Sequence, residues 1–171
     1  SIFKVKEWWT TTCGSGEEFD VGGMVVGRLD KRDTAGKIAT GSLSGMLRVY
    51  SPAQKAYKAD DLILEEDLGA PILQMKIGTF LAGSKDLAVA VLHPRKLTVY
   101  ELTARTLENT DDGANTEVYG LDRHYENLLG LDGEHFSSFC MGSGKFGGRG
   151  SGQEQEMIVV QSMDGKLQIF E

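Results

Sequence analysis

Residues 37–50 read KIATGSLSGMLRVY, residues 87–100 read LAVAVLHPRKLTVY, and residues 157–170 read MIVVQSMDGKLQIF; the three stretches align without a gap. Each is an apolar strand, a short turn and a second strand that ends in Leu-x-Val/Ile-aromatic. Self-similarity of this kind marks a repeat architecture and takes precedence over any local reading. The turns are Leu43-Ser44-Gly45, His93-Pro94-Arg95 and Met163-Asp164-Gly165. Gly45 and Gly165 supply the positive φ that a tight hairpin asks for, and Pro94 turns the second copy differently.

The second strands alternate. Leu47 and Val49 share one face with Arg48 and Tyr50 on the other; the same holds for Leu97/Val99 against Thr98/Tyr100 and Leu167/Ile169 against Gln168/Phe170. Large residues on both faces predict that both faces are covered. Leu47, Leu97 and Leu167 are therefore expected to be buried at matching positions. Residues 87–92 include one charge-free apolar run, as in a strand interior to a stack of sheets.

Each hairpin follows another strand candidate, at residues 24–29, 72–80 and 136–141. A fourth candidate follows the first two hairpins, at 62–68 and 118–129. That gives four antiparallel strands per unit. The distance from Leu47 to Leu97 is 50 residues and from Leu97 to Leu167 it is 70. Propeller blades run roughly 40–50 residues, so the second unit carries an insertion. The polar stretch TARTLENTDDGANTE, 103–117, is the natural candidate and reads as a solvated or disordered loop. The fold expected is all-β, a partial β-propeller of about three blades, with blade 1 at 19–68, blade 2 at 71–129 and blade 3 at 136–171. The third blade stops after its third strand, so the chain reads as part of a larger ring. A β-sandwich also has many short strands, but it leaves an outer face polar.

Composition narrows the function classes. The 171 residues carry 18 basic and 25 acidic side chains, a formal net charge of −7. The basic residues are scattered, with no run longer than Lys31-Arg32 or Arg95-Lys96. Neither a nucleic-acid groove nor binding to an anionic membrane is favoured. Cys13 and Cys140 are the only cysteines, which suits two reduced thiols in a cytoplasmic protein better than a disulfide framework. No apolar run approaches the ~18 residues of a membrane span, and the first residues do not read as a signal peptide, so none is expected there.

Motifs that could carry chemistry are weak. GSGKFG at 142–147 matches a phosphate-binding glycine pattern, but that pattern works only when it opens a helix, and here a strand follows. LDKRDTAGK at 29–37 is similar to the calcium loops of some propellers. It offers only Asp30 and Asp33 to a cation that wants six to eight oxygens, with Arg32 between them. The three histidines, His93, His124 and His135, have no metal spacing. No serine sits in a nucleophile elbow. No catalytic, cofactor or metal site is expected. Trp8 and Trp9 are candidates for partner binding, or for anchoring a terminal segment to the core. Asp60-Asp61 and Glu65-Glu66-Asp67 read as a solvated outer strand edge.

Certain runs are more specific than the repeat itself. They are Phe3-Lys4 with Trp8-Trp9, Glu18-Phe19-Asp20, Gly41-Ser42 with Gly45 and Leu47-Arg48, and Pro71-Ile72-Leu73-Gln74. Further along come Ala90-Val91-Leu92-His93, Arg95-Lys96-Leu97, Val99-Tyr100, Tyr125-Glu126-Asn127-Leu128, Phe146-Gly147-Gly148, Gln161-Ser162-Met163-Asp164-Gly165 and Phe170-Glu171. In these the chain resembles the N-terminal propeller of the parathyroid hormone-responsive B1 family, the ninth Bardet–Biedl syndrome proteins. It departs from that pattern at 103–122 and 130–138. The resemblance implies a seven-bladed ring that continues beyond residue 171. It implies a non-enzymatic scaffold subunit of the BBSome, a coat-like complex carrying membrane-protein cargo to and from cilia with intraflagellar transport. Partners would be the other BBSome subunits, and ciliary membrane cargo through the whole complex. Location would be the cytoplasm, the cilium and its basal body, against the ciliary membrane without insertion. The alternative is a propeller enzyme, a hydrolase or lyase, whose site is completed by blades outside this chain.

Overall fold

The computed structural model describes residues 4–108, 113, 115–130, 137–147 and 155–171. They form three antiparallel sheets and a single short 3-10 turn, Ala59–Asp61. The first sheet holds β1 (Met24–Gly27), β2 (Lys37–Gly41), β3 (Met46–Tyr50) and β4 (Leu62–Asp67). The second holds β5 (Gln74–Gly78), β6 (Ala88–His93), β7 (Lys96–Glu108) and β8 (Asn115–Leu128). The third holds β9 (Ser138–Gly144), β10 (Met157–Ser162) and β11 (Leu167–Phe170). In each sheet the neighbours are consecutive strands, so each is a meander. The strand candidates at 24–29, 62–68, 72–80 and 118–129 correspond to β1, β4, β5 and β8. The candidate at 136–141 overlaps β9, with Phe136 outside the described residues.

The three aligned hairpins fall in three separate sheets, as β2–β3, β6–β7 and β10–β11. Two of their turns are built alike to the atom. In the first, the Ser42 amide donates to the Met46 carbonyl, the Met46 amide donates to Ser42 Oγ, and Gly45 N–H closes on Ser42 O. In the third, Ser162, Lys166 and Gly165 repeat all three bonds. Gly45 has φ +98° and Gly165 φ +85°, a region where a Cβ is strained. At Gly45 a Cβ would also stand 2.9 Å from the Ala70 carbonyl oxygen.

The sheets stack through two apolar clusters. Leu47 and Val49 of β3 meet Met75, Val89, Val91, Tyr100 and Leu102 of the second sheet. Leu97 and Val99 of β7, with Ala88, Ala90 and Leu92, meet Met141, Ile158 and Val160 of the third. The leucine of each of the first two hairpins thus faces the following sheet. Leu167 departs from the expectation: it is 66% exposed, against 1% for Leu47 and none for Leu97. No described residue stacks on that face of the third sheet, so Leu167 and Ile169 point to solvent. The first strands lie side by side, β1 next to β5 and β5 next to β9, and a parallel bridge joins Gly22 to Gln74.

The stretch 103–117 also corrects the sequence reading. It is no loop over most of its length but an extension of the β7–β8 ladder. The last pairing of β6 with β7 is Val89 with Tyr100. Beyond it β7 pairs with β8 alone, from Thr103 opposite Gly120 to Glu108 opposite Asn115. Polarity here reports exposure, not backbone state: Thr103, Thr106, Thr116, Val118 and Tyr119 are good strand formers. Residues 109–112 and 114 lie outside the described set.

Truncating Leu97, wholly buried between two sheets, removes packing that cannot be replaced locally. Leu97→Ala is expected to cost about 2–5 kcal/mol. Leu107→Ala, on the exposed arm, should stay within about 0.5 kcal/mol. Chemical denaturation of both variants reads this directly, and similar costs would mean that the arm is packed into the core.

Candidate interaction surface

A strap N-terminal to β1 crosses the face of the first sheet that turns away from the second. It is held at two points. Trp9 donates its indole N–H to Asp61 Oδ2 at 2.8 Å and sits edge-on to Tyr50 and Tyr57, each with centroids 5.8 Å away. Arg48, in the middle of β3, reaches back with both terminal nitrogens to Glu17, at 2.9 and 2.7 Å. Its Nε donates to Glu65 at 2.6 Å. A buried guanidinium persists only with its charge and donors satisfied, and here Glu17 and Glu65 satisfy them. The Arg48 guanidinium beside Glu17 in turn holds that carboxyl at about 2, against the usual 4.5.

The tryptophan pair is therefore split. Trp9 anchors the strap, whereas Trp8 is 53% exposed, and its carbonyl accepts from the Ala56 amide at 3.0 Å. Asp61, read as part of a solvated edge, is buried, because it accepts from Trp9 and from the Lys58 amide. Glu65 is likewise engaged, by Arg48.

The β1–β2 loop ties the first sheet to the second. Arg32 reaches Asp30 through its backbone amide at 2.9 Å and its guanidinium at 3.1 Å, and it reaches Glu117 of β8 at 3.1 Å. Its guanidinium carbon lies 5.9 Å from the Tyr119 ring centre. The Tyr119 hydroxyl stands 3.2 Å from both Asp30 and Glu117. Lys31 bridges Asp86, at 2.9 Å, and Glu101, and His124 Nε2 meets Glu101 at 2.7 Å. The Asp30 carboxylate is thus engaged by Arg32 and Tyr119 and that of Asp33 by Lys37, so the loop acts as an ion-paired tie between sheets.

The remaining candidates are scattered. His93 is buried; its Nδ1–H donates to the Pro71 carbonyl at 2.9 Å, and burial holds its pKa below the usual value. His135 lies outside the described residues. Gly142 and Gly144 of the glycine pattern sit within strand β9. Cys13 and Cys140 are free and half-buried. Among the described residues no group of three His, Cys, Asp or Glu side chains could hold a metal, and no helix is long and apolar enough to cross a membrane. Between the second and third sheets a cleft of about 470 Å³ opens over Phe80, Val99, Tyr125, Ile158 and Phe170.

A family model described as PTHB1 N-terminal matches residues 1–171. The chain belongs to the PTHB1 N-terminal family. Protein PTHB1 of Xenopus laevis is 40% identical over 176 residues, covering all of this chain and 19% of that protein. Protein PTHB1 of Homo sapiens is 38% identical and that of Mus musculus 36%, each again over all of this chain and 18% of the relative. The chain thus spans about a fifth of the length of these curated relatives.

Within this PTHB1-family chain, the Arg48–Glu17 contact that holds the strap is one the sequence reading passed over. Arg48 carried a signal: it aligns with Thr98 and Gln168, so a charge stands where the other copies have neutral groups. Its partner Glu17 carried none, because the strap has no periodicity. Two consequences can be measured. The Glu17 carboxyl is depressed in the folded state, so its stabilisation is present above the ordinary carboxylate range and is lost as pH falls through its folded value. Glu17→Gln should lower the unfolding midpoint near neutral pH, and the gap to the parent should close between about 4.5 and about 2. A gap that persists into acid would mean that charge is not what holds the strap. Trp9→Phe, which keeps the ring contacts but takes the indole donor from Asp61 and leaves it the Lys58 amide, should cost about 1–3 kcal/mol, whereas Trp8→Phe should cost little; equal costs in a thermal melt would refute the division of labour between the two.

Proposed function

We propose that this chain is the N-terminal part of a β-propeller and serves as a non-enzymatic scaffold in the BBSome, the coat-like complex that carries membrane-protein cargo to and from cilia with intraflagellar transport. The observation that carries the propeller reading is the placement of three equivalent hairpins in three separate meanders whose first strands lie side by side. In a ring, a further sheet would cover Leu167 and Ile169 as the second and third sheets cover Leu47 and Leu97. Membership of the PTHB1 N-terminal family supports the assignment to this protein class. The described titratable groups that join strap, loop and sheets, such as Arg48 with Glu17 and Glu65 and Arg32 with Asp30 and Glu117, are paired with one another, which suits a structural role. A scaffold needs a rigid body with varied surface elements; the strap and the β7–β8 arm are such elements.

The test is recovery of partners with the full-length protein from ciliated cells. Other Bardet–Biedl proteins should accompany it in near-equal amounts by mass spectrometry. A protein that remains monomeric and turns over a small molecule would overturn the scaffold reading.

A further inference from the structure

We infer that the strap, residues 4–17, is the outermost strand of a further sheet that closes the ring onto the first sheet, the other strands of that sheet coming from the full-length chain beyond residue 171. This rests on the propeller reading and says how such a ring is locked. The strap lies where the fourth strand of a preceding sheet would lie. In the first sheet the fourth strand, β4, runs from Leu62 opposite Tyr50 to Asp67 opposite Met46. The strap runs the same way across the face of β3: Trp9 sits against Tyr50, Glu17 meets Arg48, and the Glu18 carbonyl accepts the Leu43 amide. Its spacing to the next strand matches as well. Six residues, 18–23, lead from Glu17 into β1, and six, 68–73, lead from β4 into β5.

The packing agrees. Across the junction of the first and second sheets β4 lies against β8, and Leu64 of β4 shares an apolar cluster with Tyr100. Tyr50 and Tyr100 hold the same place in the aligned hairpins, so Trp9 stands to Tyr50 as Leu64 stands to Tyr100. The strap covers only the outer half of its face. Arg48 and Tyr50 are buried, but Met24 and Val26 of β1, on the same face by register, are each 62% exposed. Met75 and Ile77 hold the matching places in β5. Both pack into the cluster shared with the first sheet, and Met75 is buried. What the first sheet lacks is therefore the inner strands of a preceding sheet, with the outer one already in place.

The strap has strand chemistry and no strand partner. Val5, Trp8, Trp9, Thr10, Thr11 and Thr12 favour extended, paired backbone. Residues 4–12 nevertheless belong to no ladder among the described residues, and Val5 is wholly exposed. β4, its counterpart, is held by β3. The missing neighbour belongs to the same chain because sheets that follow one another around a ring bring the last back to the first. The chain spans about a fifth of the length of its relatives, which leaves ample sequence for the remaining sheets. A last sheet assembled from both ends of the chain would hold the ring shut through its ladder bonds and leave no open edge at the strap.

The test uses the purified full-length protein without partner subunits, so it is independent of whether the protein assembles into a complex. One readout is amide hydrogen exchange over residues 5–12 of the unsubstituted protein, with a synthetic peptide of residues 1–15 as the free-chain reference. The other is photo-crosslinking from Val5→benzoylphenylalanine, with the captured residue identified by mass spectrometry. Expected are exchange slowed by at least about tenfold and a crosslink within one chain to a residue beyond 171. Exchange as fast as in the free peptide would overturn the inference. So would capture of a second copy or of another protein, capture confined to residues 4–171, or no capture at all. Fast exchange at 5–12 together with slow exchange at Leu167–Phe170 would leave a ring that continues past the third sheet but is not locked by the strap, so that the propeller reading would stand and this inference alone would fall.

Discussion

Everything in this molecule depends on β6 being buried on both of its faces. All six residues from Ala88 to His93 are buried. Val89 and Val91 project into the cluster shared with the first sheet, and Ala88, Ala90 and Leu92 into the cluster shared with the third. One strand thus serves as a common wall for two cores. A polar residue at Val91 or Ala90 would not spoil a surface; it would place an unanswered polar group between two sheets, where no water can satisfy it. The alanines matter as much as the larger residues, because close-packed interiors penalise added volume as well as lost volume.

Polar stitches finish what the apolar clusters begin. Gln74 of β5 accepts the Met141 amide of β9 through its side-chain oxygen at 2.7 Å. Glu156 accepts the Thr79 amide at 3.0 Å, and Ser138 donates to the His93 carbonyl at 2.7 Å. Each bond crosses from the second sheet to the third. Apolar contact is non-directional and would tolerate sliding; a side chain that meets a particular backbone group does not. Lys31 and Arg32 play the same part between the first and second sheets, with charge in place of neutral hydrogen bonds.

The hairpins were legible because alternation and turn chemistry are local and were written three times. Ser42 and Ser162 align in the quoted stretches, so even the matching turn hydrogen bonds left a trace. The arm was misread because the polar run TARTLENTDDGANTE reports where side chains sit, not whether the backbone is paired. Leu167 was misread for a complementary reason: alternation assigns a residue to a face, but only a neighbouring sheet determines whether that face is dry. Asp61 and Glu17 could not be placed, since their partners Trp9 and Arg48 lie 52 and 31 residues away and no spacing rule connects them. Family membership reached further than any of these local signals, because a run of particular residues such as Ala90-Val91-Leu92-His93 is more specific than the alternation it contains.

The meander order bears on how the chain acquires its shape. Strands that follow one another in sequence also neighbour one another in space, so each sheet can close as its own residues leave the ribosome. With residue 67 synthesised, the first sheet has all four strands, and Glu17 already has Arg48 to meet. The two tying residues of the β1–β2 loop must wait longer: Lys31 for Glu101, and Arg32 for Glu117 and Tyr119. The loop that precedes β2 in sequence can therefore make its local bonds, Arg32 to Asp30 and Lys37 to Asp33, with the first sheet, but its ties to Glu101, Glu117 and Tyr119 only once the second sheet has arrived.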